Sequence, residues 1–247
     1  MQPPREIEVN FDNFSALWRQ ELDDALGSLA RHRSVYLDSY KRLASLNAWR
    51  EMLLSNRISS GSLGFFLEAQ NDALVSHVLA RMGSWRAALK ALRSSVENVL
   101  ACLYYKDHPV ELELWEAGKH KIEFGELWKY FSRHPKVVPL GIQRAGLIDI
   151  RNEYSTLSRA VHGFASFRMT GGAGSTALWS DSRISLGAWS TRERRTVCGV
   201  NLLLLAIFGE ELEGTRLPGL RSAIGLAVPR RMHQGIRTGL HVNLRSA

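Results

Sequence analysis

Cysteine is scarce in this chain: Cys102 and Cys198 are the only two in 247 residues. Both lie in apolar stretches that read as helix, and no C-x-x-C occurs. Zinc ribbons, redox dithiols and disulfide scaffolds are therefore excluded, and two buried free thiols of a reducing compartment are expected. Long hydrophobic runs are also lacking. The longest, 200–208, is interrupted by Asn201 and falls far short of the ~20 residues a membrane span needs. β-branched alternation is sparse, which argues against sheet. No H-E-x-x-H, no G-x-S-x-G and no Gly-Lys-Ser/Thr loop is present, so the common zinc-protease, α/β-hydrolase and P-loop signatures are missing. No metal and no cofactor is expected. The opening MQPPREIEVNFDN is polar and contains acids, unlike a secretory or transit peptide, so a cytoplasmic protein is expected, with no membrane partner.

What is present is helical periodicity. Across 11–57, Phe14, Leu17, Trp18, Leu22 and Leu26 recur at three- and four-residue steps, and the pattern resumes through Tyr36, Leu43, Leu46, Trp49 and Leu53. Asp12 or Asn13 is placed to cap its start, and Gly27 to weaken or break it. Helices are expected over 63–82 and 85–105, the second ended by Asp107-His108-Pro109. Shorter helices are expected over 109–120 and 123–133, and another over 142–163. The Gly-, Ser- and Thr-rich stretch 164–190 reads as a long loop or hairpin. A last strong helix spans 190–213, started by a Ser190 cap. The expected fold is all-α, an antiparallel bundle of long helices over 1–213 with an N-terminal helical arm at 11–57.

Charge is uneven. The 32 Lys and Arg outnumber the 24 Asp and Glu, for a net +8. Such a balance favours polyanionic partners. The excess gathers in 214–247, where Arg216, Arg221, Arg230, Arg231, Arg237 and Arg245 stand among five glycines and no acid. This segment reads as an irregular basic C-terminal extension, and its arginines suit a phosphate backbone. Its apolar residues, among them Leu220, Ile224, Ile236 and Leu244, call for docking on the domain, on a second copy or on a partner.

Two helices carry a polar edge beside an apolar stripe. On one, Arg93 and Glu97 stand four residues apart and can pair. A rim salt bridge and a half-buried functional edge are both open readings. On the other, Ile150, Tyr154, Leu157 and Val161 form the stripe, and Arg151, Ser155, Ser158 and His162 run beside it. His162 precedes Gly163, so it also suits the last turn of a helix through the dipole alone. The glycine-rich 171–176 could cradle phosphates but has no lysine, and reads as a flexible loop.

The pattern Tyr154-x-x-Leu157-Ser158-x-x-x-His162-Gly163, preceded by Leu92-Arg93-x-x-x-Glu97, resembles that of bacterial helical proteins similar to the HEPN superfamily. These are helical ribonucleases, toxins and nucleotide- or RNA-binding modules, and the resemblance spans about 65–210. It implies a HEPN-like core there and a nucleic-acid or nucleoprotein partner, RNA favoured, with a second copy or a partner protein alongside. It also implies an effector or accessory role in an anti-phage or toxin-type system. The family's ribonucleases place an arginine a few residues before a histidine. Here His162 follows Arg151 by eleven residues, ~16 Å along a helix, too far for one phosphate. The enzymatic alternative is a metal-independent endoribonuclease. In it His162 acts as base, Arg151, Arg159 or Arg93 supplies charge, and Glu97 or Tyr154 orients the others. A protein-only adaptor is the third reading.

Overall fold

The structure is a computed structural model and describes residues 3–162, 183–214 and 216–244. Among these residues there are ten α-helices and no strand. Helix α1 (Pro3–Arg31) begins earlier than the periodicity suggests, because a proline in a first turn gives up an N–H that has no helical partner anyway. It runs through Asp12, Asn13 and Gly27 without interruption. The break to α2 (Arg33–Met52) falls instead at His32. Residues 54–56 form a single 3-10 turn. Ser59 then caps α3 (Ser60–Arg81), its hydroxyl accepting from the Ser62 N–H at 3.3 Å.

Helix α4 (Trp85–Asp107) is followed by two short helices, α5 (Pro109–Glu116) and α6 (Phe124–Ser132). The Glu126 carboxylate accepts from the Glu123 N–H at 3.1 Å and fixes the start of α6. Helix α7 (Leu147–Val161) starts five residues later than expected, because 134–146 is spent on successive turns ending at Gly146. Helix α8 (Arg183–Phe208) takes in residues expected to be loop, so Ser190 lies inside it and caps nothing. The rest of the expected loop, including 171–176, lies outside the described residues.

The described part of the C-terminal segment is largely helical, not irregular. After a 3-10 turn (Gly209–Leu212), helices α9 (Pro218–Ala227) and α10 (Arg230–Leu240) form. Leu220, Ile224, Ile236, Val242 and Leu244 are buried in the same apolar core as Trp49, Phe66, Leu103 and Leu204. Composition misled here: glycines weaken a helix by only about 1 kcal/mol each, and burial of this many aliphatic side chains outweighs that.

Helix α3 packs along α4, and α4 also meets α7 and α8. Helix α2 packs on α9, α3 and α8. The centre is the C-terminal half of α8, where every residue from Thr196 to Phe208 is buried. A helix apolar on all sides belongs in the interior. Of its polar members Asn201 is matched across to α2, whereas the buried Thr196 hydroxyl has no partner among the described residues. Asn201 Nδ2 donates to Ser45 Oγ at 2.9 Å and its Oδ1 accepts from Trp49 Nε1 at 2.9 Å. Above them the buried Arg42 and Glu193 pair, Nε to Oε2 at 2.9 Å.

The seating of α7 on α8 depends on two glycines. Gly146 has φ +74, and a Cβ there would lie 2.5 Å from the Gly199 carbonyl oxygen. A Cβ on Gly199 would lie 3.0 Å from Ile150 Cγ1. Two backbones therefore touch where only hydrogen fits. That contact sets where the next two turns of α7 carry Tyr154.

The apolar stripe of α1 is not a core face. Phe14, Leu17 and Leu26 are exposed, and from Arg5 onward the first buried residue is Ala25. Periodicity reports that a helix has an apolar face and is silent on what covers it.

Candidate functional site

A cavity of about 720 Å³ opens beside α4. Phe65 of α3, Trp115 of α5, Phe124 of α6, and Tyr105 and Tyr154 of α4 and α7 supply aromatic walls. Arg93, Glu97 and Asn98 line it from α4, Lys121 and Glu123 from the connection before α6, and His162 from the end of α7.

The polar edge of α4 and the stripe of α7 meet in this cavity through Tyr154. Arg93 Nη2 donates to the Tyr154 hydroxyl at 2.8 Å and to Glu97 Oε1 at 3.0 Å. The Tyr154 hydroxyl in turn donates to the same Glu97 oxygen at 2.6 Å. Three groups thus close a triangle, and the Arg93 guanidinium also stands 5.0 Å over the Tyr154 ring. The Tyr154 ring is stacked on Phe124, with centroids 3.5 Å apart and planes 3° from parallel. Burial opposes the charge on Arg93, but the bonds to Tyr154 and Glu97 carry its pKa above the ordinary value. Burial and the bond to Glu97 raise that of Tyr154, against the pull of Arg93. The triangle therefore holds an arginine cation and a neutral phenol, both bonded to Glu97 Oε1.

Two buried donors in the cavity lack partners. The Tyr105 hydroxyl has none, although the residue is only 1% exposed, and Arg93 Nε has none either. Burial, then the neighbouring Tyr104 and Glu111, pushes the Tyr105 phenol up to about 12, so it remains a donor. Unsatisfied buried donors are uncommon in native folds.

Of the residues singled out in sequence, Arg93, Glu97, Tyr154 and His162 line one cavity, and Arg151 and Arg159 do not. Both arginines lie on the exposed side of α7, where Arg151 stands 4.9 Å over the Trp128 ring. His162 is the C-cap of α7, its N–H bonded to the Ser158 carbonyl at 3.0 Å. Sequence reading missed Phe65, Tyr105, Trp115, Lys121 and Phe124. They come from four separate segments and share no spacing, so no local signal could have joined them.

The tail arginines part company. Arg221 is 3% exposed and donates to the carbonyls of Gly214 at 2.6 Å and Asn243 at 3.4 Å. It ties the tail together and cannot reach a phosphate backbone, which corrects its assignment as a nucleic-acid contact. Arg216, Arg230, Arg231 and Arg237 are exposed. Arg245 lies outside the described residues.

Among the described residues, no group of three or more His, Cys, Asp or Glu is placed to hold a metal ion, and no helix is long and apolar enough to cross a membrane. No protein-family model, curated protein or solved structure matches this chain.

Proposed function

We propose that this protein binds nucleic acid, with single-stranded RNA favoured, by taking a nucleotide into the cavity between α4, α6 and α7. The observation that carries this reading is the lining: five aromatic rings beside Arg93, Lys121 and His162, with two unpaired buried donors among them. Unstacked bases are held by aromatic faces, and phosphates by cations. The exposed Arg230, Arg231 and Arg237 on α10 extend the basic surface that a strand would follow. With this reading goes the setting that the HEPN resemblance implies. It is a cytoplasmic, HEPN-like antiparallel bundle, an effector or accessory component of a bacterial anti-phage or toxin-type system that acts as an oligomer or with a partner protein.

The test is fluorescence anisotropy with a labelled single-stranded RNA, comparing wild type with Phe124→Ala and Lys121→Ala. Loss of one stacking ring is worth ~1–3 kcal/mol per base, so Phe124→Ala weakens binding by about fivefold or more. Unchanged binding in both variants, with loss in a triple Arg230, Arg231 and Arg237 to Ala variant, refutes the cavity and moves the interface to the tail. Binding only of protein partners, insensitive to salt, leaves the adaptor reading.

A second reading is favoured by the presence of His162 in the same cavity as Arg93. His162 would take the 2′-OH proton as that oxygen attacks the adjacent phosphorus. The bond from phosphorus to the 5′ oxygen breaks, the leaving oxygen takes its proton from solvent water, and Arg93 offsets the phosphorane charge. In that case His162→Ala abolishes cleavage, a loss far larger than the accompanying weakening of RNA binding.

A further inference from the structure

We infer that the cavity is a cleft for two consecutive nucleotides of one strand. Phe65, Tyr105 and Trp115 hold one base, the stack of Phe124 on Tyr154 holds the next, and Lys121 meets the phosphate between them. This inference rests on the nucleic-acid reading of the same cavity and adds the length of strand it takes.

The cavity is elongated. Arg93, Glu97, Ala101 and Tyr105 line it at four-residue steps along α4. Its floor therefore runs along roughly three turns of helix, ~18 Å from Arg93 to Tyr105. The facing wall runs in the opposite sense. His120 stands beside Tyr105, with ring centroids 6.0 Å apart, whereas Phe124 is stacked on Tyr154 under the Arg93 guanidinium. Residues 119–123 belong to no helix, and the four peptide steps from His120 to Phe124 reach up to ~14 Å. That carries the wall from one end of the cleft to the other.

The rings divide between these ends. At the first, the Phe65 ring lies 5.1 Å from that of Tyr105 and 4.6 Å from that of Trp115, centroid to centroid. At the second stand Phe124 and Tyr154. Trp115 is 44% exposed and Phe124 is half-buried, so each end offers an accessible ring. Midway along the floor is Ala101, whose methyl group leaves the cleft continuous between them. Successive bases of a single strand stack on separate aromatic side chains in this way. Each end also holds one buried donor without a partner, the Tyr105 hydroxyl and Arg93 Nε, and bases carry carbonyl and ring-nitrogen acceptors. Lys121 follows His120 on the wall and precedes Phe124 by three residues, so its cation falls between the ring groups. The lining acids Glu97 and Glu123 belong to the second end, where the amino group of a base can meet them.

The test is competition for a labelled oligoadenylate bound to the full chain, read by fluorescence anisotropy. The competitors are adenosine monophosphate and the dinucleotide ApA. On wild type, ApA is expected to compete at a concentration at least about fivefold lower, the worth of one further stacked base. In Trp115→Ala the two compete alike, because one ring group is broken, and Trp115→Tyr, which keeps a ring, restores the difference. Circular dichroism checks that both variants retain their helix content, and the wild-type ratio is decisive whether or not they do. Equal competition on wild type overturns the inference and leaves a cavity for one nucleotide. So does an advantage of ApA that survives in a folded Trp115→Ala. A labelled strand that does not bind at all removes the nucleic-acid reading itself, and this inference with it.

Discussion

Replacing Gly146 with alanine tests how α7 is seated, and with it the position of Tyr154. Two separate penalties apply. A Cβ at φ +74 carries the left-handed cost of about 1–2 kcal/mol. The same Cβ would also lie 2.5 Å from the Gly199 carbonyl oxygen, 2.8 Å from Leu202 Cβ and 2.9 Å from Gly199 Cα. None of these atoms can swing aside, so α8 or α7 must shift, at an overpacking cost of about 1–3 kcal/mol. The total is roughly 2–5 kcal/mol. Gly141 is the matched control: its φ is +82 and a Cβ there meets nothing within 4 Å, so Gly141→Ala carries the first penalty alone. Urea unfolding followed by circular dichroism reads the difference. With a slope of ~1–3 kcal/mol per molar, the Gly146→Ala midpoint falls about 1–2 M below wild type, and that of Gly141→Ala falls by about half as much or less. Equal midpoints for the two variants refute the close approach of α7 to α8.

Further outcomes follow from the same geometry. Tyr154→Phe keeps the stack on Phe124 but removes the hydroxyl that joins Arg93 to Glu97. Unfolding should show a loss of about 1–2 kcal/mol for these part-exposed charge-assisted bonds, and no loss means that the triangle is not formed in solution. Burial pushes both Cys102 and Cys198 up to about 12. A thiol-reactive dye at pH 8 should therefore label the native protein only on the timescale of unfolding, and prompt labelling of either contradicts the packing. His77 and Glu193, linked through Ser39, titrate with opposite sign. Burial, helped by Arg81 and Arg42, lowers His77 from 6.5 to about 4. Its contribution is full above pH 6.5 and lost as pH falls through 4. Burial raises Glu193 from 4.5 to about 7 against the pull of Arg42. Its contribution is full below pH 4.5 and lost as pH rises through 7. The two oppose between pH 4 and 7, so His77→Gln should grow more stable on acidification from pH 7 to 5, and a steady loss there disproves the assignment.

Much of the helical content was legible. The stripes of α3 and α4 lie within three residues of where periodicity puts them, because both bury one continuous face and α4 ends at a strong local signal, Pro109. Less legible were 183–190 and the tail. Gly187 and the tail glycines read as loop, but α8 and α9 are held by packing that local propensity does not report. Arg221 shows the same limit: by composition it is one basic residue among six, and only the fold turns it inward onto two carbonyls. For the cavity, the pairing of Arg93 with Glu97 was readable from a four-residue spacing on one helix. Its third member, Tyr154, was a candidate from the motif, but its contact with Arg93 and Glu97 depends on how α7 meets α4 and no spacing reports that.

The sequence by itself determined that this chain is helical, that its basic charge is concentrated near its end, and that two helices carry polar edges beside their core faces. These properties depend on neighbours within a turn or two, where spacing and propensity act directly. The tertiary structure decided which edges meet, which arginines stay in water, and that five aromatic rings from distant segments share one cavity. It also decided that the stripe of α1 faces outward. Such outcomes depend on backbone approach, as at Gly146 and Gly199, and on long-range burial, neither of which is written into local spacing.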